Sequence, residues 1–370
     1  MRVLIVGAGI AGLAAARALR QAGIDCEVVE RSATWDVAGA GIYLPGNGMA
    51  ALGRFGLAGL VAASGQPVAR RRVFDERGRS LIDFDEAGLW ADVATPIALH
   101  RRDLHRILVE GAAGVPIRRG VTITAIDDGP EAVHVRFEDG TSVDVDLVVG
   151  ADGIHSTIRQ TIVGGPSARL AGQVGWRFVV DGHPGIDGWN GWLGRDRGFL
   201  ALGIGRDRVY CVGDIRSVDG TDPCAADIDA FKALFVGYPS PVPELLAGLR
   251  VAADLWFSPF EEVAPPTWTA GRIVLIGDAA HASAPNMAEG ASLAMEDALV
   301  LAECLSTGDD VSASLASFVQ RRASRVEHVQ HMTRRRDRLR FLHPVLRRTV
   351  MGLVGHEIFH AHYRPLLTPP

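Results

Sequence analysis

The chain is poor in cysteine: four in 370 residues, at Cys26, Cys211, Cys224 and Cys304. They are too sparse for a disulfide scaffold and lack the spacing of a metal site, so they read as reduced thiols of a cytoplasmic protein. Lysine is almost missing. Lys232 stands alone, and the remaining positive charge is arginine. The formal net charge of −5 gives no general pull toward nucleic acid or an anionic membrane. No charge-free apolar run reaches membrane-spanning length. A strand-like run from Arg2 leaves no room for a signal or transit peptide. No internal repeat or long low-complexity segment is present. What is there is an ordinary globular composition, 48% hydrophobic and 22% charged. It is enough for two lobes with a real core.

The most telling pattern at the start is Arg2–Val6 followed at once by GAGIAG. The apolar run fits a buried parallel strand. Gly7 permits the tight turn, Gly9 lets backbone approach a pyrophosphate, and Gly12 lets helix and strand pack closely. A helix-forming stretch from Leu13 to Gln21 stops at Gly23. A second strand, Cys26 to Val29, delivers Glu30, whose carboxylate suits the adenosine ribose hydroxyls. Strand, turn, helix, strand and acid in this order specify a dinucleotide site. They do not separate NAD from FAD.

That separation comes far downstream, in GRIVLIGDAAHASAPNMAEGASLAMEDA, residues 271 to 298. An apolar run ends at Gly277-Asp278, and a helical pattern resumes near Glu289. A carboxylate accepts hydrogen bonds from a polyol, and a helix N-terminus stabilises negative charge on a ring. Together with the N-terminal fingerprint this points to a flavin. No second GxGxxG is present for a separate nicotinamide domain.

Between these motifs, strand-like segments are expected at Val73 to Asp75 and Ser80 to Phe84, and a helix from Ala98 to Gly111. Further strands are expected at Val121 to Ile126, Val133 to Phe137 and Leu147 to Gly150, with Asp139-Gly140 as a hairpin turn. Residues 171 to about 265 carry aromatics and short strand-like runs separated by glycine turns, as in an inserted antiparallel sheet. Leu293 to Leu305 and most of Val311 to Leu342 read as helices, with a last helix after Pro344. The expected fold is α/β: a discontinuous Rossmann-like FAD-binding domain (1–72, 98–170 and 266–330), a mostly antiparallel substrate sheet (73–97 and 171–265) and C-terminal helices (331–370).

A third motif, DLVVGADGIHSTIR at Asp146 to Arg159, joins the other two. By itself it fits a strand-to-helix turn in which Asp152 caps the helix. In order and spacing, GAGIAG with Glu30, GADGIHSTIR and GDAAHASAP resemble the three fingerprints of the single-component FAD-dependent aromatic hydroxylases, the group A flavoprotein monooxygenases. RRDLHRIL and GAGIYLPGNGMAAL fit as well, and the resemblance covers roughly residues 1 to 330.

The resemblance implies one non-covalent FAD, reduced by NADH or NADPH as co-substrate. A flavin hydroperoxide formed with O2 would then hydroxylate an aromatic or polycyclic small molecule, or epoxidise it. It implies pyrophosphate contacts at Gly7, Gly9 and Gly12, an adenosine ribose contact at Glu30, and further FAD-binding positions at Ala11, Arg31 and Ala125. Arg101 would reach the pyrophosphate or ribityl region, with Gly41, Ile42 and Asn47 beside the isoalloxazine. Asp152 and Gly153 would lie near the FAD, and Gly277 and Asp278 at the ribityl chain. Pro285 would shape the loop at the reacting face, and Ala288, Gly290 and Ala291 would bind the cofactor. Where many members have Gly-Gln-Gly and a later Asn, this chain has Ala288-Glu289-Gly290 and Ser292, a departure at the pyrimidine edge. Monomer and homodimer both suit the reading.

Catalytic candidates are Arg177, Tyr210 and Pro285. No general base follows from spacing. Trp176, Trp192, Phe199 and Tyr210 fit either a substrate pocket or ordinary sheet core. Arg177, between Trp176 and Phe178, is costly to bury without a partner. It pairs with a substrate carboxylate, contacts the flavin, or faces solvent. His356-Glu357-Ile358-Phe359-His360 matches the HExxH of zinc peptidases, but no third ligand follows it, and metal-binding residues are expected to be absent. The arginines from Arg334 to Arg340, with Arg347 and Arg348, read as a solvated helix face. A flavin halogenase is disfavoured: Lys232 lies in a polar helical stretch, and Trp189 and Trp192 have the wrong spacing.

Overall fold

The computed structural model describes residues 1–35, 40–182, 185–263, 267–308 and 310–370. The expected boundary at 265–266 falls outside them. The strand Arg2–Val6 pairs in parallel with Asp25–Glu30 on one side and Leu147–Gly150 on the other. Ile117–Arg119 and Ile273–Leu275 extend this parallel array, and Thr269–Ala270 closes one edge antiparallel. Val3, Ile5, Val28, Val148 and Val149 are fully buried, as strands covered on both faces require. The helix Ile10–Gln21 returns across this sheet and packs on the helix Gly290–Thr307. A Cβ on Gly12 would stand 1.8 Å from the Gly7 carbonyl oxygen, so only glycine lets helix and turn approach this closely. A three-stranded antiparallel sheet, Ile123–Asp128, Val133–Phe137 and Ser142–Val145, lies along the chain between the N-terminal glycine motif and the motif that begins at Asp146.

The second large sheet has seven strands, in the order Trp256–Glu262, Arg169–Asp181, Arg208–Arg216, Arg197–Gly203, Trp189–Leu193, Arg70–Asp75 and Ser80–Asp85. All neighbours are antiparallel except Trp189–Leu193 beside Arg70–Asp75. Strand alternation gives it two different faces. Trp176, Phe178, Phe199, Val209 and Cys211 pack with Phe231 and Phe235 in a closed core. Arg177, Leu200, Tyr210, Val212 and Asp214 point the other way, into a cavity.

Three expectations need correction. The strand expected from Val73 begins at Arg70, because the alternation that buries Val73 and Asp75 also buries Arg71, with partners for its charge. The stretch expected as one helix from Ala98 is a strand, Ile97–His100, followed by a helix, Arg101–Gly111. The apolar run Ile97–Leu99 pairs with Gly41–Leu44, and the His100 ring caps the helix start through Arg102 N at 3.2 Å.

The third correction concerns the C-terminal arginines, which are not a solvated face. Their helix, Val311–Arg340, lies along the cavity, and the next, Pro344–Tyr363, closes over it. Arg334 pairs with Glu262, Arg340 with Asp214, and buried Arg347 donates to the Leu193 and Gly194 carbonyls at 2.7 Å each. Arg336 lies over the rings of Phe359 and Tyr363. These groups bind the C-terminal helices to the seven-stranded sheet, while Arg335, Arg338 and Arg348 are exposed. Among the described residues no helix is long and apolar enough to cross a membrane.

Candidate active site

One cavity of about 800 Å³ lies between the two large sheets. On one wall stand Gly9, Ala11, Gly41, Ile42, Arg101, Gly153, Asp278, Pro285, Ala288, Gly290 and Ala291. On the other stand Arg177, Trp189, Phe199, Tyr210, Ser258 and Phe260, with Met351, Ile358 and Phe359 from the last helix. Residues that are widely separated in the chain thus meet at one space.

The first wall suits an extended anionic dinucleotide. The helix Ile10–Gln21 starts at Gly9 with no side-chain cap, and Gly290–Thr307 starts at Glu289 in the same way. Both N-termini therefore keep amides for a ligand. A Cβ on Gly9 would meet nothing within 4 Å. Asp278 is exposed within the cavity, at the start of a short helix, Asp278–His281. Acceptor carboxylate, open backbone and uncapped helix starts fit the polyol, the pyrophosphate and an electron-accepting ring of FAD.

Other expected residues stand behind this wall. Gly7 and Gly12 pack against each other, and Gly277 donates its amide to Asp297 at 2.9 Å. The Glu30 carboxylate accepts the amides of Ala8 and Ser32, both at 2.8 Å. Arg31 is exposed beside it, and Ala125 sits half-buried in the three-stranded sheet. Asp152 reaches the start of the helix Thr157–Thr161, accepting from the Thr157 and Ile158 amides at 2.8 and 3.2 Å, while Ser156 is the N-cap. Its backbone neighbour Gly153 lines the cavity.

The second wall is apolar with a few aimed polar groups, as small-molecule sites are. Arg177 projects into the cavity, donates to Ser258 and lies 5.3 Å from the centre of the Phe260 ring. It also hydrogen-bonds Tyr210, whose phenol is raised by burial against the pull of Arg177 and so stays protonated. Trp176 and Trp192 belong to the closed core of the sheet, as does Phe199, which also reaches the cavity.

Sequence reading missed two groups here. Arg71, read only as part of a basic run, is buried at the cavity among Tyr43, Trp189, Phe359 and Tyr363, paired to buried Glu86 at 2.7 Å. Asp337 also lines the cavity and accepts from Asn286, and burial pushes its carboxyl up to about 6.

His356 and His360 pack on the Phe84 ring at 5.9 and 5.2 Å. Among the described residues no three His, Cys, Asp or Glu side chains stand together as a metal site.

A family profile described as "FAD binding domain" matches residues 1–175 and 260–333. This chain belongs to the FAD-dependent monooxygenases of aromatic and heteroaromatic rings. The monooxygenase is 36% identical over 341 residues to 2-heptyl-3-hydroxy-4(1H)-quinolone synthase of Pseudomonas aeruginosa, covering 89% of this chain and 87% of that protein. It is 33% identical to aurachin C monooxygenase/isomerase of Stigmatella aurantiaca over 88% of this chain and 85% of that one. Among solved structures, Klebsiella pneumoniae HpxO complexed with FAD and uric acid superposes with a TM-score of 0.90 at 28% identity, covering 100% of this chain and 97% of that one.

Proposed function

We propose that this monooxygenase uses NADH or NADPH and O2 to hydroxylate a flat aromatic or polycyclic heteroaromatic molecule with one polar edge. The observation that carries this is the single cavity that joins an FAD-shaped wall to an aromatic wall bearing Arg177 and Tyr210. Relatives named for a quinolone, urate and 3-amino-4-hydroxybenzoate support a ring of this kind. FAD, when bound, supplies electron transfer from the nicotinamide and activation of O2.

The chain's own residues bind, orient and exclude water. Amides near Gly9 and Ala11 would hold the pyrophosphate, and Glu30 and Arg31 the adenosine ribose. Arg101 and Asp278 would hold the polyol, and amides from Gly290 would face negative charge on the ring. Arg177, steadied by Ser258, would bind the polar edge of the substrate. Asp337 would accept a proton from a ring hydroxyl or amide, being ionised above about pH 6. Residues 1–72, 98–170 and 266–330 would form the FAD-binding part, 73–97 and 171–265 the substrate part, and 331–370 its cover. Four buried, unpaired cysteines support a reducing, cytoplasmic setting, in which the enzyme would act as a monomer or homodimer.

The test is rapid-mixing reduction of the yellow, FAD-loaded protein by NADH and NADPH across a panel of aromatic compounds. The reading expects at least one compound to accelerate reduction and appear with one added oxygen. It also expects the turnover of an ionisable substrate to fall below about pH 6 in wild type and to lose that limb in Asp337→Asn. A folded protein that binds no flavin would end this reading.

A further inference from the structure

At Glu289 this chain carries an acid where many relatives, by the resemblance described above, have a glutamine. Ala288 on one side and Gly290 and Ala291 on the other line the cavity, while the Glu289 side chain turns back into the protein and is 2% exposed. It lies directly behind the helix start assigned to the flavin ring. Oε2 accepts from the Asn47 amide at 3.0 Å, and Oε1 has no partner.

The neighbouring carboxylates already have partners. The same Asn47 amide donates to Glu296 at 3.0 Å. Glu296 is held by Arg322 at 2.8 Å and Arg325 at 2.6 Å, and Asp297 by Arg322 at 2.8 Å and His281 at 2.6 Å. Two arginines thus answer two carboxylates on the helices Gly290–Thr307 and Val311–Arg340. Arg71, on the facing strand, is paired with Glu86. Among the described residues Glu289 forms no ion pair with a cation. An uncompensated carboxylate in such a place is held off by several kcal/mol, whereas a protonated one is tolerated. Asn47 Oδ1 and Ser292 Oγ are likewise buried without a hydrogen-bond partner.

We propose that Glu289 is a neutral acid that mimics an amide behind the cofactor ring, and that loss of its proton lowers the reduction potential of bound FAD. Burial, with repulsion from Glu296, pushes this carboxyl up to about 8, against the pull of Asn47, Arg325 and Arg71. When ionised, it sets a negative charge against the positive end of the helix that faces the ring. Electrons added to the ring would in turn strengthen the proton's hold on Glu289. Reduction then takes up an extra proton in that pH range, by linkage. Glu289 is a positioning residue acting through the helix start, and the proposal rests on the FAD reading above.

The experiment measures the reduction potential of FAD-loaded wild type and Glu289→Gln as a function of pH. A parallel infrared titration of wild type follows the protonated-carboxyl carbonyl band. The two proteins should share one potential at mildly acidic pH. Above about 8 the wild type should fall below the variant as the carboxyl band disappears. A variant whose potential is higher than wild type even at acidic pH, or parallel curves throughout, would mean that Glu289 is permanently charged or irrelevant, and would overturn the proposal. If the variant does not fold, a wild-type titration with no carboxyl band lost between neutral and alkaline pH overturns it equally. Failure to bind FAD at all would instead strike the reading of function.

Discussion

The Tyr210 side chain lies close against Gly41: a Cβ added to Gly41 would stand 2.3 Å from Tyr210 Cγ. One contact thus joins the seven-stranded sheet to the strand Gly41–Leu44 beside the proposed flavin ring. Gly41→Ala is expected to push Tyr210 out of place, at about 1–3 kcal/mol of overpacking. FAD retention and aromatic-ligand binding should both weaken. Adding Tyr210→Ala should relieve the clash, so the two changes should be strongly non-additive in a double-mutant cycle. Simple additivity would show that this contact does not hold in solution.

Arg177→Met tests the polar anchor of the cavity. The guanidinium faces the cavity beside Ser258, Tyr210 and Phe260 rather than bulk solvent. Removing a charge that meets a substrate in a desolvated site costs about 2–5 kcal/mol. Substrate-stimulated flavin reduction should therefore slow by more than about tenfold, the factor that corresponds to 1.4 kcal/mol. Wild-type stimulation and coupling in a folded variant would exclude Arg177 from substrate binding.

Asp278→Ala should weaken FAD retention by about 1.5–3 kcal/mol, the worth of a charge-assisted hydrogen bond to a polyol. Equilibrium dissociation of FAD, followed by flavin fluorescence, reads this directly. An unchanged dissociation constant would place the cofactor elsewhere.

The parallel sheet was legible because Arg2–Val6 and Leu147–Gly150 each end in a glycine turn whose spacing is local. That Asp278 and Gly290 stand at turns was legible for the same reason, and both line the cavity. The two faces of the inserted sheet were less so. Arg177 between Trp176 and Phe178 gave the alternation, but not which face met the cavity. Arg71 and Asp337 were hidden because their partners are remote: Arg71 bonds Glu86 and Tyr363, and Asp337 bonds Asn286. A basic run looks solvated until the rings and acids that receive it are brought in by the fold. His100 was misread because helix-like spacing continues from Ile97 across a strand end.

Asp297 offers the clearest pH test of the buried network. Burial pushes its carboxyl up, yet His281 at 2.6 Å, Arg322 at 2.8 Å and the Gly277 amide more than offset this and hold it well below the usual carboxylate range. A carboxyl lowered in the folded state binds its proton more readily when unfolded, about pH 3.9. Its stabilisation is fully present above that value and is lost as pH falls through the lower folded value. Wild-type stability should thus decline as the pH drops below about 4, with Asp297 contributing part of the slope. Asp297→Asn should remove that part. At neutral pH it should also cost about 3–5 kcal/mol, because His281 and Arg322 lose a buried charged partner. Denaturant unfolding of both proteins from neutral to acidic pH separates the two effects. Equal stability at neutral pH would mean that Arg322 and His281 find other partners, and that this network does not hold the Gly277 turn in place.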